Sequence, residues 1–245
     1  MKDMRPAGRM WHLYKMGGIT PAITSMFDVQ SAQQMAFIRS IMKEQRKNSL
    51  YDIPLDSVEL VVFDLETTGF SPYNGDEIIS FGAVAVNGTS ILEDQTFYSI
   101  VNPKRSIPEE VVDLTGISNE MAGKAQDLIG GLRAFLEFVQ QKLLVAHGTG
   151  HDKHFLNAAL WKTSKVNLSH RMLDTMLLAK WLYPKLKQHD LDTLLDMYGI
   201  EVTERHHALE DAKMTARLWA MIMEEIRLKG IHNLGDLYSQ LSHHH

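Results

Sequence analysis

Four acidic residues stand at three separate places in the sequence, beside glycines or histidines: Asp64, Glu66, Asp152 and Asp211. The first two follow the apolar run VVF, and no Lys or Arg occurs between residues 61 and 70. A carboxylate at the end of an apolar strand is costly unless a cation lies beside it. The pattern therefore indicates an acidic site that needs a cationic partner.

Asp64 and Glu66 are two positions apart, so in a strand their side chains project from one face, ~6–7 Å apart. The following Thr67 and Gly69 are typical of a strand end, because glycine permits a tight turn and threonine hydroxyls bond to nearby backbone. The carboxyl ends of central strands are where α/β sheets usually hold their sites. Solvated carboxylates are the alternative for this pair, and a helix cap is the alternative for Asp152.

The segment HHALEDA, residues 206–212, places two histidines just before Asp211. Residues four apart share a helix face, so His207 is the better partner of Asp211 if the helix has begun at 207. If His206 precedes the first turn, its side chain is free to reach the same site. Spacing alone leaves the two histidines open.

The periodicity predicts strands at 58–64, 77–86, 95–101 and 143–146, joined by turns that include Asn87-Gly88. Asn-Gly is a strong hairpin signal, so the second and third strands are expected to be antiparallel. Helices are predicted from Pro108 to Val112 and at 126–141, 152–161, 174–182, 190–198 and 208–228. This order predicts an α/β domain with a mixed sheet.

Residues 1–55 form a separate N-terminal extension, with a helix predicted at 31–48 and Ser31 as its cap. Met35, Ile38 and Met42 would share one face of that helix. An amphipathic helix packed on its own core is the favoured reading. An arm for a partner or for nucleic acid is the alternative.

The composition is that of a globular chain: 245 residues, 44% hydrophobic, no cysteine and a net charge of −5. The absence of cysteine excludes a disulfide framework and thiolate metal sites. No apolar run approaches the ~20 residues that span a bilayer, and no secretory h-region is visible, so we expect a cytoplasmic protein without a membrane partner. Residues 231–245 are a C-terminal tail ending in histidines typical of an expression tag.

The three motifs together resemble the histidine-containing DEDD-type (DEDDh) 3′-5′ exonucleases, the family that includes the proofreading epsilon subunit of bacterial DNA polymerase III. DLETTG at 64–69 matches the first motif, HGTGHD at 147–152 matches the second in part, and HHALEDA matches the third. Gly148 and His151 depart from the family pattern, in which Asn and Phe are common. The register of the third motif selects His206.

The resemblance implies a ribonuclease H-like mixed sheet flanked by helices, spanning residues 56–230, with an N-terminal helical extension. The four carboxylates would then converge without a local Lys or Arg and repel one another. Two divalent cations, Mg²⁺ or Mn²⁺, would relieve that repulsion, because all-oxygen ligation favours them over zinc. Asp64, Glu66, Asp152 and Asp211 would bind the metals, and His206 would accept a proton from the attacking water.

The implied activity is release of nucleoside 5′-monophosphates from the 3′ end of single-stranded DNA, in proofreading or repair. Thr67, Gly69 and Phe70 would hold the terminal nucleotide, Phe70 by stacking on its base; Phe70 packed beneath its turn is the alternative. A DNA polymerase is a further expected partner. The alternatives are an exoribonuclease on short RNA, a haloacid-dehalogenase-like phosphatase, and a non-catalytic module that binds a polymerase or nucleic acid.

Overall fold

The computed structural model describes residues 21–45 and 51–242, with side chains described for 29–44 and 51–242, and these residues form a domain around a six-stranded sheet. The strands are β1 (Glu59–Thr67), β2 (Ile78–Asn87), β3 (Ser90–Asn102), β4 (Gln126–Asp127), β5 (Leu143–Ala146) and β6 (Met172–Asp174), in the spatial order β4-β3-β2-β1-β5-β6. β1 is antiparallel to β2 and parallel to β5. The prediction of a mixed sheet is confirmed, as is the Asn87-Gly88 hairpin, in which β2 pairs antiparallel with β3.

Helices cover both faces of the sheet. They are α1 (Pro21–Gln45), α2 (Glu109–Thr115), α3 (Asn119–Lys124), α4 (Leu128–Val139), α5 (Gly150–Ser164), α6 (Thr175–Leu182), α7 (Leu191–Tyr198), α8 (Ala208–Leu228) and α9 (Leu234–Ser242). α1 begins ten residues before Ser31, so the predicted cap is wrong. A serine cap stabilises a helix start by only ~1 kcal/mol, and this helix continues through it.

Alternate residues of β1 face two different hydrophobic cores, which makes β1 the central strand. Leu60 and Val62 pack with residues of α6 to α9. Val61 and Phe63 pack on the other side, with α1, α4 and α5. In that second core Ile38, Ile41 and Met42 of α1 are buried. The helix at the N-terminal side therefore packs on the domain, as the favoured reading of its amphipathic face predicted.

The segments that flank the predicted 56–230 domain are joined to each other beside the sheet. The amide of Leu55 donates to His232 O at 2.8 Å, and the amide of Gly235 donates to Tyr51 O at 2.8 Å. Leu55, Leu234 and Leu237 are all buried in the core beside α8. We call these paired segments, 51–55 and 231–237, the terminal clasp. None of the helices in the described part of the chain is long and apolar enough to cross a membrane.

Candidate active site

The carboxyl end of β1 brings Asp64 and Glu66 to the face that α8 covers. They continue the alternation of Leu60 and Val62, which pack against α8 in the core below. Opposite Asp64 on β2 stands Gly82, where an added Cβ would lie 2.1 Å from the carbonyl carbon of Ala208. Only glycine leaves room for the start of α8 to touch the sheet, and that contact places the first turn of α8 over the two carboxylates.

Asp152 approaches the same carboxylates from α5. It lies inside the first turn of that helix with 4% of its surface exposed, while Thr149 holds the cap position, so Asp152 does not cap the helix. Its charge is close enough to Asp64 to raise the pKa of that residue. All four predicted acidic residues therefore surround one buried region at the end of β1.

Burial and mutual repulsion keep these carboxyl groups from ionising easily. Desolvation, followed by the charges of Asp152, Glu66 and Asp211, raises the pKa of Asp64 well above its ordinary value. Burial is also the largest cause for Glu66 and for Asp152, and it raises the pKa of each to about 8. A site that holds these groups in their charged form near neutral pH needs added positive charge.

Arg205 supplies part of that charge, which corrects the expectation that no local Lys or Arg is present. Its guanidinium donates to Oδ1 of Asp211, and its Nε donates to Oδ1 of Asp192 at 2.6 Å. Its charge lowers the pKa of Asp64, Glu66 and Asp211 against the effect of burial. Arg205 lies 139 positions after Glu66, but it immediately precedes the third motif, and that adjacency was the available signal.

The two histidines of the third motif have different surroundings. His206 precedes α8 with a φ of 62°, and its amide donates to Oδ2 of Asp211 at 2.8 Å. Ligand atoms of Glu66, His206 and Asp211 all lie within 4.8 Å of one another. His207 caps α8 and stacks on Tyr98, with ring centroids 4.5 Å apart. The helix thus begins after both histidines, which leaves the His206 side chain free to reach the carboxylates.

The turn after β1 is held by Asp76. Its carboxylate accepts from the Thr68 hydroxyl at 3.1 Å and from the Ser71 amide at 3.0 Å. A Cβ on Gly69 would lie 2.5 Å from Oδ2 of Asp76, so a larger residue there would displace that carboxylate from the turn. The Thr67 hydroxyl donates to Gly69 O at 2.7 Å, as its position at the strand end predicted.

Phe70 projects from this turn into solvent. Its side chain is 89% exposed and its ring meets the edge of His151, with centroids 5.8 Å apart. The alternative that Phe70 packs beneath its turn is therefore wrong. His151 also lies 3.4 Å from the Thr67 hydroxyl and contacts Phe155. The exposed Phe70 ring and the half-buried His151 ring thus stand beside the carboxylates.

Asp174, which the motif analysis missed, fixes the loop before α5. Its carboxylate accepts from the amides of Gly148 and Thr149 at 2.9 and 2.8 Å. His147 is anchored between the Thr175 hydroxyl and His189 O, each at 2.9 Å. Gly148 has a φ of 74°, a value that suits glycine and explains its place in this loop. These contacts hold Asp152 against β1.

The chain matches the family model described as exonuclease (RNase_T) over residues 61–219. The chain belongs to the exonuclease family. The match includes all three motifs, and it confirms the family expected from them.

Curated relatives in the exonuclease family support the same assignment. The DNA polymerase III PolC-type protein of Bacillus subtilis (strain 168) is 37% identical over 178 residues, which are 72% of this chain and 12% of that protein. A DNA polymerase III subunit epsilon-like protein of Rhodobacter capsulatus is 30% identical over 214 residues, covering 86% of this chain and 30% of that protein. The chain thus corresponds to a small part of these relatives.

Solved structures of exonucleases share the fold. The nuclease domain of 3′hExo, a DEDDh family member bound to rAMP, has a TM-score of 0.61 at 22% identity and covers 73% of this chain and 94% of that domain. Exonuclease X in complex with 5′ overhanging duplex DNA has a TM-score of 0.55 at 21% identity, covering 68% of this chain and 92% of that one. The expected ribonuclease H-like fold is confirmed.

Removal of the Arg205 charge is expected to tighten metal binding by this exonuclease-family chain. Arg205→Gln should bind Mn²⁺ about tenfold more tightly, because a cation no longer competes at Asp211. Isothermal titration calorimetry measures the dissociation constant without any substrate. The control is Arg133→Gln, which removes an exposed ion pair with Glu137 on α4. Unchanged or weaker Mn²⁺ binding by Arg205→Gln would show that Arg205 does not occupy the cation position.

Proposed function

We propose that this chain is a metal-dependent 3′-to-5′ exonuclease that releases nucleoside 5′-monophosphates from single-stranded DNA. The observation that carries the proposal is the convergence of four carboxylates and one histidine beside the exposed ring of Phe70. Family membership supports phosphodiester hydrolysis. The acidic cluster supports the metal requirement, and Phe70 with His151 supports a terminal nucleotide as the ligand.

The donor set fits divalent cations. Carboxylate oxygens of Asp64, Glu66, Asp152 and Asp211 would hold two Mg²⁺ or Mn²⁺ ions, for which all-oxygen sites are suited. A guanidinium already reaches Asp211, which indicates that a cation is stable there. When bound, the two ions supply charge stabilisation at the reacting phosphate and favour ionisation of the attacking water.

His206 is proposed to take the proton of the attacking water. The ligand atom of its ring lies within 4.8 Å of oxygens from Glu66 and Asp211, so the imidazole adjoins the space where the phosphate would lie. The His206 amide donates a hydrogen bond of 2.8 Å to Oδ2 of Asp211. This bond fixes the backbone of His206 and so limits the positions that its ring can take. Histidine is the side chain that most often serves as a general base.

The turn after β1 is proposed to hold the 3′ end. The exposed ring of Phe70 provides a stacking surface for the terminal base, and stacking of this kind is tolerant of base identity. Thr67 and Gly69 lie between that ring and Glu66, where they would contact the sugar and the phosphate. The packing of Phe70 on His151 keeps the surface near the carboxylates.

The test is digestion of end-labelled single-stranded DNA and RNA with Mg²⁺, Mn²⁺ or EDTA. With a 5′ label, wild-type protein should give a ladder that shortens step by step in Mn²⁺ and nothing in EDTA. With a 3′ label, the labelled mononucleotide should appear first. Faster digestion of RNA than of DNA would indicate that short RNA is the substrate. Release of the 5′ nucleotide first, or internal cuts alone, would contradict the proposal.

A polymerase partner is proposed from the relatives alone. Two of them are DNA polymerase III proteins, in which the matched part is 12% and 30% of the length. The test is co-elution of the purified chain with a bacterial DNA polymerase III catalytic subunit on a sizing column. Separate elution at micromolar concentration would argue for an exonuclease that acts alone.

A further inference from the structure

A cavity of about 690 Å³ lies beside the second motif, on the outer side of β6. Thr149 and Lys153 form one wall, and Arg171 with Met172 of β6 forms another. Tyr51 and Tyr238 come from the terminal clasp and α9. Lys153 directly follows the acidic residue Asp152, so the cavity and the acidic site share the start of α5. The cavity therefore adjoins the acidic site but is separate from it.

The charge of the cavity is opposite to that of the acidic site. No Asp or Glu is among its lining residues in the described part of the chain, although the whole chain has a net charge of −5. Lys153 and Arg171 make no ion pair with any described residue, unlike Arg205, Lys162 or Arg105. Two cations without counter-ions in one concave surface indicate an anionic ligand.

Aromatic groups in the cavity indicate that this ligand also has a flat ring. The guanidinium of Arg171 lies over the ring of Tyr51 at 4.7 Å, and Tyr51 is 52% exposed. Tyr51 also meets the edge of Tyr238, with centroids 6.2 Å apart. Stacking on Tyr51 leaves the N–H edge of the guanidinium available for a phosphate, which it can bind through two hydrogen bonds.

Two of the lining residues carry a buried polar atom without a hydrogen-bond partner within the described residues: His170 Nδ1 and Tyr238 Oη. His170 Nε2 lies 2.8 Å from Gln140 O, and a carbonyl only accepts, so Nε2 carries the hydrogen. Burial lowers the pKa of His170, which keeps the ring neutral and leaves Nδ1 as an acceptor. Both atoms are buried behind the cavity surface, so a ligand would meet Lys153, Arg171 and Tyr51 instead.

We propose that this cavity binds a nucleotide of the substrate strand on the 5′ side of the nucleotide being removed. The proposal rests on the proposed function, and it adds a second contact between protein and strand. In the sheet, β6 is two strands from β1, which corresponds to ~10 Å. The strand would leave the acidic site across Thr149 and Lys153, with a phosphate on Arg171 and a base against Tyr51.

The test is binding of labelled oligothymidylates, from a dinucleotide to about ten nucleotides, by fluorescence anisotropy in EDTA. Wild-type affinity should rise once the strand reaches the cavity. Arg171→Ala and Tyr51→Ala should each bind the longer oligonucleotides about tenfold more weakly than wild type. Both variants should bind the shortest oligonucleotides with wild-type affinity. The slope of log Kd against log salt should fall by about 0.7 for Arg171→Ala, the value for one phosphate contact of a single strand.

The matched control is Lys124→Ala, an exposed lysine on α3, which packs against β3 near the other edge of the sheet. Arg171→Lys keeps the charge, so it should retain the salt slope and lose only part of the affinity. Melting curves identify any variant that fails to fold. If a variant does not fold, wild-type protein is tested with strands that carry 5-iodouracil at one internal position at a time. The label should cross-link to Tyr51 or Tyr238 when it occupies the cavity.

Equal binding of long oligonucleotides by wild type and both variants, with no cross-link to either tyrosine, would overturn the proposal. The proposal would also be overturned if Arg171→Ala and Tyr51→Ala lost binding to free dTMP but kept their binding to oligonucleotides. The cavity would then be a site for mononucleotides. These outcomes are read without metal. Failure of the proposed function is read separately, as absence of stepwise digestion by wild-type protein in Mn²⁺.

Discussion

Asp64→Asn is expected to lower the rate of nucleotide release by at least about a thousandfold. Asp64 is the residue on which the other three carboxylates act: Asp152, Glu66 and Asp211 all raise its pKa. Its carboxylate is therefore within electrostatic reach of the other three, and it would hold metal together with them in the proposed site. An amide there offers one neutral oxygen and cannot balance a divalent cation. Single-turnover release of a labelled 3′ nucleotide in Mn²⁺ measures the loss.

The same substitution should make the metal-free protein more stable. A loss of activity through the site can therefore be distinguished from a loss through unfolding. The pKa of Asp64 in the folded protein lies above its ordinary value, so its contribution to stability is lost as the pH rises through that pKa. Asn carries no such charge, and the variant should melt above wild type in EDTA at alkaline pH. Asp113→Asn, an exposed change on α2, is the control. Retention of a tenth or more of the activity by Asp64→Asn would contradict the site.

His206→Ala is expected to reduce the rate by about 10²–10⁴-fold, whereas His207→Ala should change it by only a few-fold. The His206 ring shares its space with Glu66 and Asp211, while the His207 ring is stacked on Tyr98. Loss of the stacked ring should cost about 0.5–1.5 kcal/mol of stability instead. Rates under single-turnover conditions and melting midpoints for both variants provide the comparison.

The paired histidine variants also test the register of the third motif. A larger rate loss for His207→Ala than for His206→Ala would mean that the register is shifted by one residue. Rescue of His206→Ala by added imidazole, with no rescue of Asp64→Asn, would support proton transfer by that side chain. Equal losses in both histidine variants would instead point to a disturbed start of α8.

The positions of the acidic residues could be predicted from the sequence because each depends on short-range patterns. Asp64 and Glu66 end a continuous apolar strand, and Asp211 lies in the first turn of a long amphipathic helix. Strand periodicity fixes a face, and the three motifs occur in the order typical of the family. The choice of His206 over His207 required the family register, since helical spacing alone favours the residue four positions before Asp211.

Contacts made through loops and turns could not be predicted in this way. The reach of Arg205 to Asp211 depends on the backbone before α8, where His206 has a φ of 62°. The exposure of Phe70 depends on Asp76, which holds the turn from eight residues beyond Thr68. The start of α1 at Pro21 was missed because a good cap residue, Ser31, also occurs inside helices. The first two depend on loop conformation, which helix and strand periodicity does not encode.

The terminal clasp also bears on how the chain is closed around the sheet. Pro54 and Asn233 are bridged directly, so the stretch of chain that holds the whole sheet begins and ends at neighbouring points. Neighbouring chain ends are the condition under which domains tolerate circular permutation. The terminal clasp therefore closes this stretch on itself, with α1 before the closure in the chain and α9 after it.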